Sequence, residues 1–235
     1  MALPPLVLLH GLGSRRQVWD PIVPALSARF TVHALDLPGA SVPELADRVL
    51  AAVPPPFHVA GSSMGGGVAL ELGRRGHALS VTAFAPIGFW GPVSRRWCQL
   101  SVTAARSCAR ALGPSLPRLA SSAAGRVALF GLFFGHPTRV DPAVGVADAR
   151  ALAVWPGFRT ARDAFARHTF PAPGLGALTD IPVCIAWGPR DLILPVFQAR
   201  RARRRLPAAR HVRLAGCGHL PFADDPEACL AAFAT

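Results

Sequence analysis

This chain contains no lysine, no tyrosine and no asparagine. All 25 of its basic residues are arginine, set against 13 Asp and Glu, which leaves a formal net charge of +12. Cysteine is sparse. The five, Cys98, Cys108, Cys184, Cys217 and Cys229, are odd in number and form no CxxC pair. That spacing argues against a disulfide framework or a zinc site, and buried small hydrophobes in a reducing compartment are expected instead. Long apolar runs are also missing: Arg, Gly and Pro interrupt every stretch before it could span a bilayer. The first nine residues lack the basic start and small-residue cleavage site of a signal peptide, so a cytoplasmic location is expected. Charged residues make up only 16% and hydrophobic ones 51%, which excludes a disordered chain; 235 residues suffice for one sizeable core.

The basic surplus is uneven. Residues 88–176 carry eleven Arg against Asp141, Asp148 and Asp163, a net of +8, and a second cluster reads ARRARRR over 199–205. Such clusters attract nucleic acid, anionic membrane or an acidic carrier, or simply form a solvated face. No nucleic-acid motif accompanies them, so a nucleic-acid partner is not expected.

Six short apolar runs read as buried strands: 6–10, 31–37, 57–61, 80–86, 182–188 and 211–216. Helix-period segments lie between or after them, over 18–28, 42–52, 63–75, 194–206 and 226–234. This alternation predicts an α/β fold with a mostly parallel sheet and helices on both faces. Right-handed crossovers then bring the strand C-terminal ends to one edge, where sites in such sheets are built. Residues 88–176 break the rhythm: they carry helical patterns and no convincing strand, and are expected to form a helical lid on a core made of 1–87 and 177–235.

The stretch FHVAGSSMGGGVALELG places G-x-S-x-G, centred on Ser63, between a predicted strand and a predicted helix. A serine in so tight a turn has a strained backbone, and side chains two positions away would collide with it, so Gly61 and Gly65 are required. The Ser63 hydroxyl then stands at a helix N-terminus, where free N–H groups favour developing negative charge. A serine needs a base. Of the eight histidines, His219 follows the last strand through a Gly-rich loop at the same sheet edge. Asp191, in the loop after the fifth strand, is the candidate to orient it; Asp36 reads as a turn residue, and Asp224 and Asp225 as caps of the last helix. After the first strand comes LLHGLG, whose glycines let the backbone approach a substrate carbonyl. The N–H groups of Leu12 and Met64 are the expected oxyanion donors, and His10 is expected to brace the loop.

HGLG (10–13), ALDLPG (34–39), GSSMGGG (61–67), WGPRDLILP (187–195) and GCGHLPFADDPE (216–227) together resemble the α/β-hydrolase superfamily of the serine-nucleophile carboxylesterase type. The order Ser63, Asp191, His219 is that superfamily's order. FTVHALDLPG looks like the pimeloyl-carrier-protein methyl ester esterases; GSSMGG is also similar to C–C bond hydrolases, and SMGGG to cofactor-free haloperoxidases. The resemblance implies about six strands, since the family's first two have no counterpart here. It implies a serine hydrolase that cleaves a carboxylic ester or thioester through an acyl-enzyme, with no metal or cofactor. C–C hydrolysis, acyl transfer and a non-catalytic receptor on the same fold remain open. An apolar acyl pocket is expected from Trp90, Trp97, Phe133, Phe134, Trp155 and Leu220. The Arg surplus suggests a substrate borne by an acidic carrier protein or coenzyme A.

Overall fold

The computed structural model describes residues 2–170 and 174–233. It contains six parallel strands, β1 (Pro5–Leu9), β2 (Thr31–Leu35), β3 (Phe57–Ser62), β4 (Ala78–Phe84), β5 (Val183–Trp187) and β6 (Arg210–Arg213), in the order β2-β1-β3-β4-β5-β6. The helices on the sheet are α1 (Val23–Ser27), α2 (Val42–Ala52) and α3 (Met64–Arg74), with α9 (Phe197–Arg205) and α10 (Pro226–Ala231) near the end. Five more lie between β4 and β5: α4 (Pro92–Ala111), α5 (Leu116–Ala120), α6 (Ala123–Phe130), α7 (Pro142–Val154) and α8 (Phe158–Ala166). The lid expected over 88–176 includes 171–173, which lie outside the described residues.

The strands explain their own burial. Side chains alternate across a sheet, so Leu6 and Leu8 enter one core with Trp19, Phe84 and Phe222, while Val7 and Leu9 enter the other with Met64, Val68 and Leu70. Both faces are covered, which requires the unbroken apolar reading of β1. The helix expected over 18–28 is shorter: Pro21 separates a 3-10 turn (Arg16–Trp19) from α1, and Pro24 sits in the first turn of α1, where its missing N–H is tolerated. Ser41 and Glu44 form a capping box that starts α2 directly after the Gly39 turn. The β4–β5 insertion has a small core of its own, including Leu116, Phe130 and Phe134, and also joins the main core through Val102, Leu152 and Phe165. Among the described residues no helix is long and apolar enough to cross a membrane.

Candidate active site

β3 ends at Ser62 and α3 begins at Met64, so Ser63 alone makes the turn. It adopts φ 56° and ψ −114°, a conformation L residues rarely hold. Neighbouring backbone secures it: the Ser63 N–H donates to the Phe84 carbonyl at 2.9 Å, and the Ser63 carbonyl accepts from the Ile87 N–H at 3.1 Å. A Cβ at Gly61 would run into the carbonyl of Gly65, and one at Gly65 into the carbonyls of Leu9 and His10. A Cβ at Gly11 would lie 3.1 Å from that of Ser63, so the loop after β1 passes directly beside this serine.

His219 is buried in the loop after β6, and its Nδ1–H donates to Asp191 Oδ2 at 2.8 Å. Asp191 Oδ1 accepts from the N–H groups of Ile193 (2.9 Å) and Leu194 (2.7 Å), so the carboxylate is held from two sides. With its proton on Nδ1, the imidazole keeps Nε2 as an acceptor. Ser63 and His219 both line one cavity of about 310 Å³. Met64 is the first residue of α3, so its N–H has no acceptor within the helix. The Leu12 N–H has none among the described residues. These parts can perform nucleophilic acyl transfer: a hydroxyl at a helix N-terminus and an oriented imidazole on one cavity, with the free amide of Leu12 on its wall and that of Met64 next in the chain to Ser63.

The cavity is apolar. Its walls come from α4 (Cys98, Val102, Ala105, Ala109), from α7 (Leu152) and from α8 (Phe165), closed by Phe133, Phe134 and Leu220. Three of the six residues expected in an acyl pocket therefore line it, and Trp90, Trp97 and Trp155 do not. The buried Trp90 indole donates to the His168 carbonyl at 3.0 Å; Trp97 is half exposed and donates to Leu192; Trp155 lines a separate hollow. Trp97 shares its face of α4 with Ala104 and Cys108, which do line the cavity, but its indole is drawn to the Leu192 carbonyl at 2.7 Å. Cys98 is no rival nucleophile: burial, and then Asp191, push its thiol up to about 12. Cys108 departs from the expected burial of the cysteines. It is exposed and lines the cavity, while the other four are buried.

His10 braces the first loop as expected. Its Nε2 accepts from the Leu37 N–H at 2.8 Å, and its Nδ1–H donates to the Gly11 carbonyl at 2.8 Å. Burial lowers its pKa, which suits this neutral form. Asp36 ties the same loop by accepting from the Arg16 N–H at 2.8 Å.

Asp224 is not the helix cap expected from its position. Asp225 caps α10 alone, accepting from the Ala228 N–H at 2.9 Å. Asp224 instead accepts from the N–H groups of Gly135, His136 and Gly218, each at 2.8 Å. It thus ties the insertion to the loop that carries His219. Leu220 adds a bond from its N–H to the Phe133 carbonyl at 2.9 Å. Nothing in the sequence signals this clamp, because Gly135 and His136 lie 89 and 88 residues before Asp224 in the chain. Sequence reading also missed Asp148, which lines the cavity; it accepts from Arg15 Nε at 2.9 Å, and burial raises its pKa. Among the described residues no cluster of three or more His, Cys, Asp or Glu could hold a metal ion.

The profile of the alpha/beta hydrolase family matches residues 6–232. The chain belongs to the α/β-hydrolase family. Among curated relatives of this hydrolase, the pimeloyl-[acyl-carrier protein] methyl ester esterase of Aromatoleum aromaticum is 32% identical over 97% of this chain and 96% of its own length. The protein of the same name from Nitrosomonas europaea is 26% identical, over 98% and 94%. Among solved structures, a hydrolase from Pseudomonas aeruginosa PA01 superposes with a TM-score of 0.76 at 20% identity, over 98% of this chain and 88% of that one. An enol-lactonase from Burkholderia xenovorans LB400 does so at 0.74 and 21%, over 98% and 90%. The structural likenesses carry the fold alone, and the hydrolase's six-stranded sheet agrees with it.

Proposed function

We propose that this carboxylic ester hydrolase works through Ser63, His219 and Asp191 and cleaves the methyl ester of an acyl chain borne by an acyl carrier protein. The observation that carries the chemistry is Ser63 in its strained turn, facing the same cavity as a buried His219 bonded to Asp191. Ser63 Oγ attacks the ester carbonyl carbon while His219 Nε2 takes its proton. The oxyanion rests on the Leu12 and Met64 amides. The C–O bond breaks, and the alcohol leaves with the proton from His219. Water, deprotonated by His219, then attacks the acyl-enzyme, releasing the acid and restoring Ser63. Asp191 holds the imidazole in the tautomer that both steps need.

Residues 88–176 act as the lid, whose apolar wall receives the acyl chain. The carrier reading is supported by the relatives' names and by the net charge of +8 over that segment, which favours an acidic partner. Five unpaired cysteines suit a reducing cytoplasm.

Intact-protein mass spectrometry after a fluorophosphonate probe tests the chemistry. Wild type should gain one adduct, and Ser63→Ala and His219→Ala none. Failure of the folded wild type to label would overturn the mechanism. Hydrolysis of a carrier-borne methyl ester well above that of the free methyl ester would support the substrate, and equal rates would remove it.

A further inference from the structure

A second hollow, of about 440 Å³, lies on another face of α4, against the start of α8. Four arginines line it: Arg106 and Arg110 from α4, Arg159 and Arg162 from α8. Thr103, Ser107 and Thr160 add hydroxyls, and among the described residues no acidic side chain lines it. Arg162 is compensated, since it reaches Asp163 at 2.8 Å and the Thr103 hydroxyl at 2.9 Å. Arg106 is fixed in place without being neutralised: its Nε donates to the Ala153 carbonyl at 3.1 Å, and its guanidinium lies over the Phe158 ring at 4.6 Å. Arg110 and Arg159 have no carboxylate partner among the described residues.

Three uncompensated positive charges thus face one space. Arg106 has its pKa lowered first by desolvation and then by the like charges of Arg110 and Arg159. Like charges on one hollow favour a shared anion. The donor set also has a shape. Arginines come from two helices, hydroxyl-bearing residues line the same hollow, and the first turn of α8 has neither a side-chain cap nor an acidic residue to occupy its free amides. A tetrahedral dianion with three terminal oxygens satisfies donors from several sides at once, which a planar carboxylate does not.

We propose that this hollow binds the phosphate of a small phosphomonoester, bridging α4 to α8. The two helices also wall the Ser63 cavity, through Val102 and Phe165, so the bound phosphate fastens that wall. The site stands apart from the ester chemistry and holds whether or not Ser63 is a nucleophile.

Thermal unfolding and isothermal titration calorimetry on the whole chain test it, with inorganic phosphate and glycerol 3-phosphate as probes against sodium chloride at equal ionic strength. Saturable one-to-one binding is expected. Tm should rise by roughly 3–6 °C at tenfold above Kd. The double variant Arg110→Gln, Arg159→Gln should weaken binding at least about tenfold. Its Tm without phosphate should not fall, because the substitution relieves repulsion. An equal Tm rise in chloride would reduce the effect to screening and overturn the site. An undiminished affinity in the double variant would place the phosphate elsewhere. Binding to phosphatidylglycerol vesicles with none to either soluble probe would overturn it in favour of a lipid surface.

Discussion

Ser63 carries a positive φ in its tight strand-to-helix turn, and it is the nucleophile of the proposed mechanism. Ser63→Ala should lower kcat by about 10⁴-fold or more with the fold intact, measured on a short acyl ester beside circular dichroism. Asp224 acts differently. It touches no reacting atom, and its carboxylate joins three amides that belong to two segments. Asp224→Ala leaves those buried donors unpaired and should cost roughly 2–4 kcal/mol of stability, read in urea unfolding. It should also lower kcat more than it raises KM, because the loop it holds carries His219. Asp224→Glu, which restores the acceptor, should recover part of the activity.

The β3–α3 connection and the loop after β1 are legible in sequence because glycine is demanded there by contact. Gly65 faces the carbonyls of Leu9 and His10, so Gly65→Ala should destabilise the chain by roughly 1–3 kcal/mol and displace Ser63. Lost fluorophosphonate labelling alongside a lowered urea midpoint would check it. The strands were equally readable, since a parallel sheet covered on both faces needs apolar side chains at successive positions. The helices over the cavity were readable as helices only. Which of their residues face the cavity depends on how α4 is set against its neighbours: Ala104 and Cys108 line it, while Trp97 on the same helix face bonds to the Leu192 carbonyl instead. Periodicity places a stripe on a helix; it does not say which neighbour that stripe meets.

Two properties belong to the whole chain. The first is its acid response. His10, His58 and His168 all have pKa values lowered first by burial. Each stays neutral when folded and takes up a proton at about pH 6.5 when unfolded, so the stability it contributes is present above that value and lost as pH falls. Asp148 works in the opposite sense, because burial raises its carboxyl. The urea midpoint should therefore fall between pH 7.5 and 5, and less steeply in His10→Gln; a midpoint unchanged across that range would refute the assignment. The second is charge. A net charge of +12 on the chain should make a carrier-borne substrate sensitive to salt. Its KM should rise several-fold between 50 and 500 mM salt, while that of a small neutral ester stays flat.

The sequence by itself determined the sheet, its two covered faces, the turn at Ser63 and the order of Ser63, Asp191 and His219. These rest on local rules: alternating side chains, glycine contacts and short connections. Only the tertiary structure decided which residues of the β4–β5 insertion line the cavity, that Asp224 clamps that insertion to the His219 loop, and that Arg106, Arg110 and Arg159 line one hollow. Each of these depends on the rotation and approach of segments distant in the chain, and no spacing within one segment encodes that meeting.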